Sequence, residues 1–193
     1  MKIRLALASA AALALVACGD NDTADTTVAE ATPTDTALPS ETPTPDASTP
    51  QGFVDTMAAS DMFEVEAGKL ARDMGKSQAV KDFGAMMVKD HTTSSDKLKA
   101  AVGEAGNGLA VAPALTPVQQ GNLDQLRGAG ENFDAMYAQQ QVDAHETALG
   151  VLQAQAQSGT VAQLKTFAGD TAKVVQGHLD HARELAKDAG GAQ

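Results

Sequence analysis

From residue 52 to residue 189, apolar side chains recur every third or fourth position, the spacing of one face of a helix. Alternation of the kind that marks strands is missing. The pattern predicts five helices. The first covers 52–75, with Phe53, Met57, Ala67, Leu70, Ala71 and Met74 on its apolar side. The second covers 78–104, through Val80, Phe83, Met87, Leu98 and Val102. Gly106, Gly108 and Pro113 make 105–115 a loop, and Thr116-Pro117 starts a short third helix that stops near Gly128. The fourth runs over 131–157, with Phe133, Met136, Ala148, Leu149 and Leu152. Ser158-Gly159-Thr160 is a break and a cap. The last helix runs over 160–189, with Leu164, Phe167, Val174, Val175 and Leu185, and ends at Gly190-Gly191. Four long helices and one short one predict an all-α antiparallel four-helix bundle. Tight breaks pair the first helix with the second and the fourth with the last. The long 105–130 connection, carrying the short helix, joins the two hairpins.

The apolar stripes are interrupted by polar residues. Val80, Gly84, Met87, His91, Ser94, Leu98 and Ala101 follow one seam by alternating steps of four and three, with His91 at its middle. Leu164, Ala168, Thr171, Val175, His178, Ala182 and Leu185 form the matching seam of the last helix. Ala138, Gln141, His145, Ala148 and Leu152 share a face of the fourth, and Met57, Asp61, Glu64, Gly68 and Ala71 a face of the first. Glu64, His91, His145 and His178 each fall near the midpoint of their own helix. Antiparallel helices of similar length meet level at their midpoints, so these four residues are expected to converge inside the bundle. A buried carboxylate and three buried imidazoles are costly without compensation. Two readings remain open. The four residues hold one transition metal, for which zinc, iron and copper suit nitrogen and oxygen donors. Alternatively, they bond to one another, to Gln141 or Thr171, and to water, and only organise the core. His181, between Asp180 and Arg183, is expected in solvent. Glu66 is expected to face away from the site, and Asp90 and Glu146 to be surface charges, each about 100° from a neighbouring histidine. The methionines and Tyr137 are expected to pack in the core.

Composition adds an address. Met1-Lys2-Ile3-Arg4 is a basic start, Leu5–Val16 is apolar except for Ser9, and Leu15-Val16-Ala17-Cys18 follows the pattern of a lipoprotein cleavage box. The apolar run falls short of the roughly 20 residues a membrane-spanning helix needs. Residues 1–18 are therefore read as an export signal that ends at a lipidated Cys18, the only cysteine of the chain. Without lipidation, the same segment is an ordinary secretory signal. Gly19, rather than Asp, follows the cysteine, so the expected location is the outer membrane, facing the periplasm. Residues 19–51 hold five of the seven prolines, seven acids and no Lys or Arg. Such a stretch reads as a disordered linker with a reach on the order of 30 Å. Residues 52–193 carry 12 basic and 18 acidic side chains, a net charge of −6. That balance excludes nucleic acid as an expected partner and leaves the lipid on Cys18 as the membrane attachment.

The stretches FVDTMAASDMFEVEAGKLA, AVKDFGAMMVKDHT, ENFDAMYAQQQVDAHETAL and LKTFAGDTAKVVQGHLDHARELA cover nearly all of residues 52–187. They resemble a family of bacterial outer-membrane and periplasmic lipoproteins with a ferritin-like domain of unknown function. The resemblance implies a ferritin-like bundle whose recurring polar positions are Glu64, His91, His145 and His178, and it implies no established activity. True di-iron ferritins carry a Glu-x-x-His pattern on two helices. Here Val88 and Val175 stand three residues before His91 and His178. Iron storage and dioxygen chemistry are not expected on that donor set, and an oxidoreductase ranks third behind a metal-binding bundle and a structural or interaction module of the envelope. No phosphate-binding loop or nucleophile elbow appears.

Overall fold

The computed structural model describes residues 45–190. The expected export signal with Cys18, the expected linker as far as residue 44, and residues 191–193 lie outside the described residues. The chain forms α1 (Pro50–Met74), α2 (Gln78–Ala105), α3 (Pro117–Gly128), α4 (Phe133–Ser158) and α5 (Ala162–Gly190), with a single 3-10 turn, Gly130–Asn132, before α4. No strand occurs among the described residues.

Helix starts follow their caps. The α1 helix begins at Pro50, two residues ahead of the apolar pattern, because the Thr49 hydroxyl accepts from the Gly52 N–H at 3.1 Å and a proline in the first turn has no donor to lose. Ser77 caps α2 through the Val80 N–H. Thr116 and Gln119 close a reciprocal capping box on α3. The α2 helix ends at Gly106, whose φ of 61° is left-handed and costs a glycine little. The α4 helix starts two residues later than expected, because 130–132 tightens into the 3-10 turn.

The four long helices form two antiparallel hairpins, α1–α2 and α4–α5, each packed more extensively within itself than against the other. Across the hairpins, α1 lies against α4 and α2 against α5. Both ends are tied down. Asp134, in the first turn of α4, accepts from the backbone N–H groups of Lys76 and Ser77 at 2.8 Å each, fixing the α1–α2 turn to the start of α4. At the opposite end, the Gln51 amide exchanges two hydrogen bonds with the backbone of Ala110. The connection after α2 therefore runs the length of the bundle, and α3 packs on α1 and α4 along the way.

The hydrophobic core is divided. One cluster contains Phe63, Phe83, Met87, Leu123, Leu126, Phe133, Tyr137 and Leu185, all buried. The other, toward the opposite end, contains Phe53, Met57, Leu98, Leu152, Leu164, Phe167 and Val175. On each long helix buried polar residues fall at or beside the boundary between the two clusters.

The α1 and α2 helices approach most closely where Gly68 faces Gly84. A Cβ on Gly84 would stand 2.6 Å from the Ala71 Cβ and 2.7 Å from the Gly68 carbonyl oxygen. Backbone cannot swing aside as a flexible side chain can. Gly84→Ala is expected to lower unfolding stability in urea by about 1–3 kcal/mol, overpacking outweighing the better helix propensity of alanine. Gly150→Ala on α4, where an added Cβ meets nothing within 4 Å, is expected to raise it by up to about 1 kcal/mol. Equal effects from the two changes would contradict the close approach.

Candidate metal centre

Each long helix sends polar groups into the layer between the two apolar clusters. Asp61 and Glu64, three residues apart and so on one face of α1, are buried with His91 and Ser94 of α2, Gln141 and His145 of α4, and His178 of α5. The three imidazoles stand mutually adjacent, with ring centroids 5.5 to 5.7 Å apart. Each offers one nitrogen, and these three atoms lie within 4.8 Å of one another.

Hydrogen bonds fix the rings. His145 Nδ1 lies 2.8 Å from the Gln141 carbonyl oxygen. A carbonyl can only accept, so the proton of neutral His145 sits on Nδ1 and the lone pair on Nε2. His91 Nδ1 donates to Asp61 Oδ1 at 2.8 Å, and Asp61 Oδ2 accepts from the Ser95 hydroxyl at 3.3 Å. His178 Nε2 donates to Asp90 Oδ2 at 3.2 Å. Glu64 Oε2 accepts from the Gln141 amide at 2.7 Å, and its Oε1 lies 3.8 Å from His145 Nδ1. In each imidazole the other nitrogen, Nε2 of His91, Nε2 of His145 or Nδ1 of His178, is buried and makes no hydrogen bond. Ring nitrogens held by a carboxylate or a carbonyl, with the opposite nitrogen free, are the usual arrangement behind metal-ligating histidines. A first-row ion at about 2.0–2.1 Å from each nitrogen in tetrahedral geometry sets them roughly 3.3 Å apart. The rings need to close in by an ångström or so, within the reach of side-chain torsions.

Burial governs the protonation of the layer. It pushes His145 down to about 4, helped by the His91 charge and opposed by the Gln141 carbonyl. Burial also pushes His178 down to about 4, helped by His91 and His145 and opposed by Asp90. For His91 burial acts the same way, but the Asp61 hydrogen bond and the charges of Glu64, Asp61 and Asp90 outweigh it, and His91 sits above the ordinary imidazole range. Glu64 is raised by burial in spite of His91 and the Gln141 amide. At neutral pH, His145 and His178 are thus neutral, the state in which imidazole ligates a metal.

Of the four residues singled out in the sequence, the structure gathers three, His91, His145 and His178, into one cluster of nitrogen donors; Glu64 is buried in the same layer but outside that cluster, its Oε1 lying beside the hydrogen-bonded Nδ1 of His145. The structure adds Asp61, which shares a helical face with Glu64; the signal lay in that three-residue spacing, but it gave no partner. Asp90 is corrected. It was expected to be a surface charge, and instead it bonds His178. Its angle on its own helix excludes contact with His91 but says nothing about α5, which packs alongside. Glu146 does lie outside, paired with Arg183 at 2.8 Å, and Glu66 pairs with Lys69. His181 is exposed, its ring set edge-on to Phe83. Thr171 bonds none of the histidines. Tyr137 is fully buried and stacks on Phe133, and burial, with the Glu64 charge, holds its hydroxyl well above the usual phenol range. That hydroxyl makes no hydrogen bond. Met57 and Met87 lie in the core, with Met74, Met86 and Met136 packed against it.

Fold and site define an all-helical bundle with a buried histidine–carboxylate layer. The chain belongs to the family described as Domain of unknown function (DUF4142), which it matches over residues 35–185. No curated protein and no solved structure matches it.

The depressed values of His145 and His178 have a sign for stability. The unfolded chain takes up a proton at each below about 6.5, the folded chain only below about 4. Stability from these two residues is therefore full above 6.5 and lost as pH falls toward 4, by up to about 3 kcal/mol each. Glu64 and His91, both raised, act in the opposite direction. The double variant H145Q/H178Q is expected to lose less stability than the natural protein between pH 6.5 and 4, followed by urea unfolding at each pH. An equal or steeper loss would show that the two rings are not held neutral by the core.

Proposed function

We propose that this protein is a lipid-anchored periplasmic bundle of ferritin-like arrangement that holds one transition-metal ion through His91, His145, His178 and Glu64. One observation carries the metal: three buried imidazoles from three helices each have one nitrogen fixed by hydrogen bonding and the other without a partner, and each ring offers one nitrogen to a set of three that lie within 4.8 Å of one another. Each orphaned nitrogen costs about 1–3 kcal/mol, and an ion at the centre of the layer removes the three penalties together. The donor set, nitrogen with one carboxylate oxygen, suits zinc, iron or copper rather than calcium or magnesium. The three histidines would take three positions of a tetrahedral ion, and Glu64, buried beside the cluster but outside it, would turn toward it to take the fourth. Catalytic sites keep one position open, so binding fits better than turnover. The ferritin-like reading is supported by two antiparallel hairpins joined by one connection that runs the length of the bundle.

The expected result is about one equivalent of metal per chain in protein purified without a histidine tag and loaded with iron, zinc or copper. Metal at 100 times its dissociation constant is expected to stabilise the fold by about 2.7 kcal/mol, seen as a higher Tm that a chelator reverses. H91Q/H178Q should take up none. No stoichiometric metal, with a melting point indifferent to chelator, would leave the buried layer as a purely structural device of the envelope.

The anchor is supported by Leu15-Val16-Ala17-Cys18 and by the acidic, proline-rich stretch that follows. Cells fed a labelled fatty acid are expected to yield a labelled mature protein in the outer-membrane fraction, and C18S an unlabelled precursor. A mature natural protein without label would remove the anchor and leave plain secretion.

A further inference from the structure

The four partners that fix the polar layer differ in their access to solvent. Asp61 is 1% exposed, and Glu64 and Gln141 are as deeply buried, whereas the Asp90 side chain is 29% exposed. Asp90 bonds His178 and also lines a cleft of about 170 Å³ between α2 and α5. Ser94 lines the same cleft. It lies three residues beyond His91 on the same face of α2, it is only 9% exposed, and its hydroxyl has no partner. Asp170, Thr171 and Lys97 complete the cleft and continue into a larger one of about 420 Å³ further along the same groove. Asp90 and Asp170 face Lys97 across the cleft, and Asp170 also pairs with Lys173 at 3.0 Å, so carboxylates and ammonium groups balance at the mouth. On the other side of the bundle, a cleft of about 320 Å³ between α1, α3 and α4 includes Met57, Phe63, Ala144 and Ala148 in its lining and none of the polar-layer residues.

We infer that the α2–α5 cleft is the entry port through which a divalent cation reaches the histidine cluster, with the Asp90 carboxylate and the Ser94 hydroxyl as its first oxygen contacts and His178 as the imidazole next to the port. Asp90 is then a positioning residue with two faces: one oxygen holds the His178 ring, and the carboxylate borders the cleft. Oxygen groups bind a hydrated cation weakly and let it pass on, and the imidazoles behind them hold it. The inference rests on the metal-binding reading above.

Cobalt(II) added to the full chain serves as the probe, since its visible absorption reports binding as it occurs. Thr171→Phe fills the cleft without touching a histidine. It is expected to slow both cobalt uptake and chelator-driven release by at least about tenfold, with equilibrium affinity and stoichiometry unchanged. Asp170→Lys breaks an exposed ion pair with Lys173, of the kind that contributes little to stability, and turns the rim from balanced to net positive. It should slow uptake by about tenfold at low ionic strength, the difference shrinking as salt is added. Thr147→Phe, in the cleft on the other side, should leave both rates as they are. Normal rates in both Thr171→Phe and Asp170→Lys, or slowing by Thr147→Phe alone, would overturn the port while leaving the metal site in place. A natural protein that binds no cobalt, zinc, iron or copper at all would overturn both.

Discussion

The structure depends on a polar layer across the middle of a hydrophobic bundle. Seven buried polar residues, Asp61, Glu64, His91, Ser94, Gln141, His145 and His178, come from all four long helices. Above and below them the core is closed by Phe, Leu and Met. Hydrogen bonds satisfy part of the layer, but three imidazole nitrogens remain without partners. At about 1–3 kcal/mol each, their combined cost rivals the about 5–15 kcal/mol by which a domain is stable at all. An apolar core of the same shape would carry no such cost. The layer is a liability to folding, and a second role for it is therefore the simplest physical account.

The bundle makes the layer possible by holding its donors level. Asp134 clamps one end and Gln51 the other, which leaves the helices little freedom to slide. The contact of Gly68 with Gly84 brings α1 and α2 together two turns from His91. Asp61 on α1 is thereby close enough to accept a hydrogen bond from the His91 ring on α2 at 2.8 Å. The precision of the site is set by tight backbone packing some distance away from it.

The sequence carries most of this. Seams of threes and fours define the long helices, and a histidine at the centre of an apolar seam can only point inward. Midpoint arithmetic brings Glu64, His91, His145 and His178 together because the helices are antiparallel and similar in length. What the sequence lacks is the pairing between helices. Asp61 lies in plain view on the Glu64 face, yet nothing along the chain says that His91 will stand opposite it. Asp90 reads as a surface charge because its own helix turns it away from His91. Only the position of α5 makes it a neighbour of His178. Helix ends are legible where a cap is strong, as at Ser77 and Thr116, and shift by two residues where a proline or a 3-10 turn intervenes, as at Pro50 and Gly130–Asn132.

The placement of the layer has one more consequence. Contacts within each hairpin are more extensive than those between hairpins, so the seam between α1–α2 and α4–α5 is the place where the fold is least secure. Glu64 and His91 belong to the first hairpin, and His145 and His178 to the second. The proposed donors are thus split across that seam. An ion held by them would bond both hairpins at once and would act where packing is sparsest. Loss of the ion would remove one link between the hairpins and leave the Asp134 bonds to Lys76 and Ser77 and the apolar packing to hold them. On the proposed metal reading, ion binding and the mutual docking of the two hairpins would be one equilibrium seen from two sides.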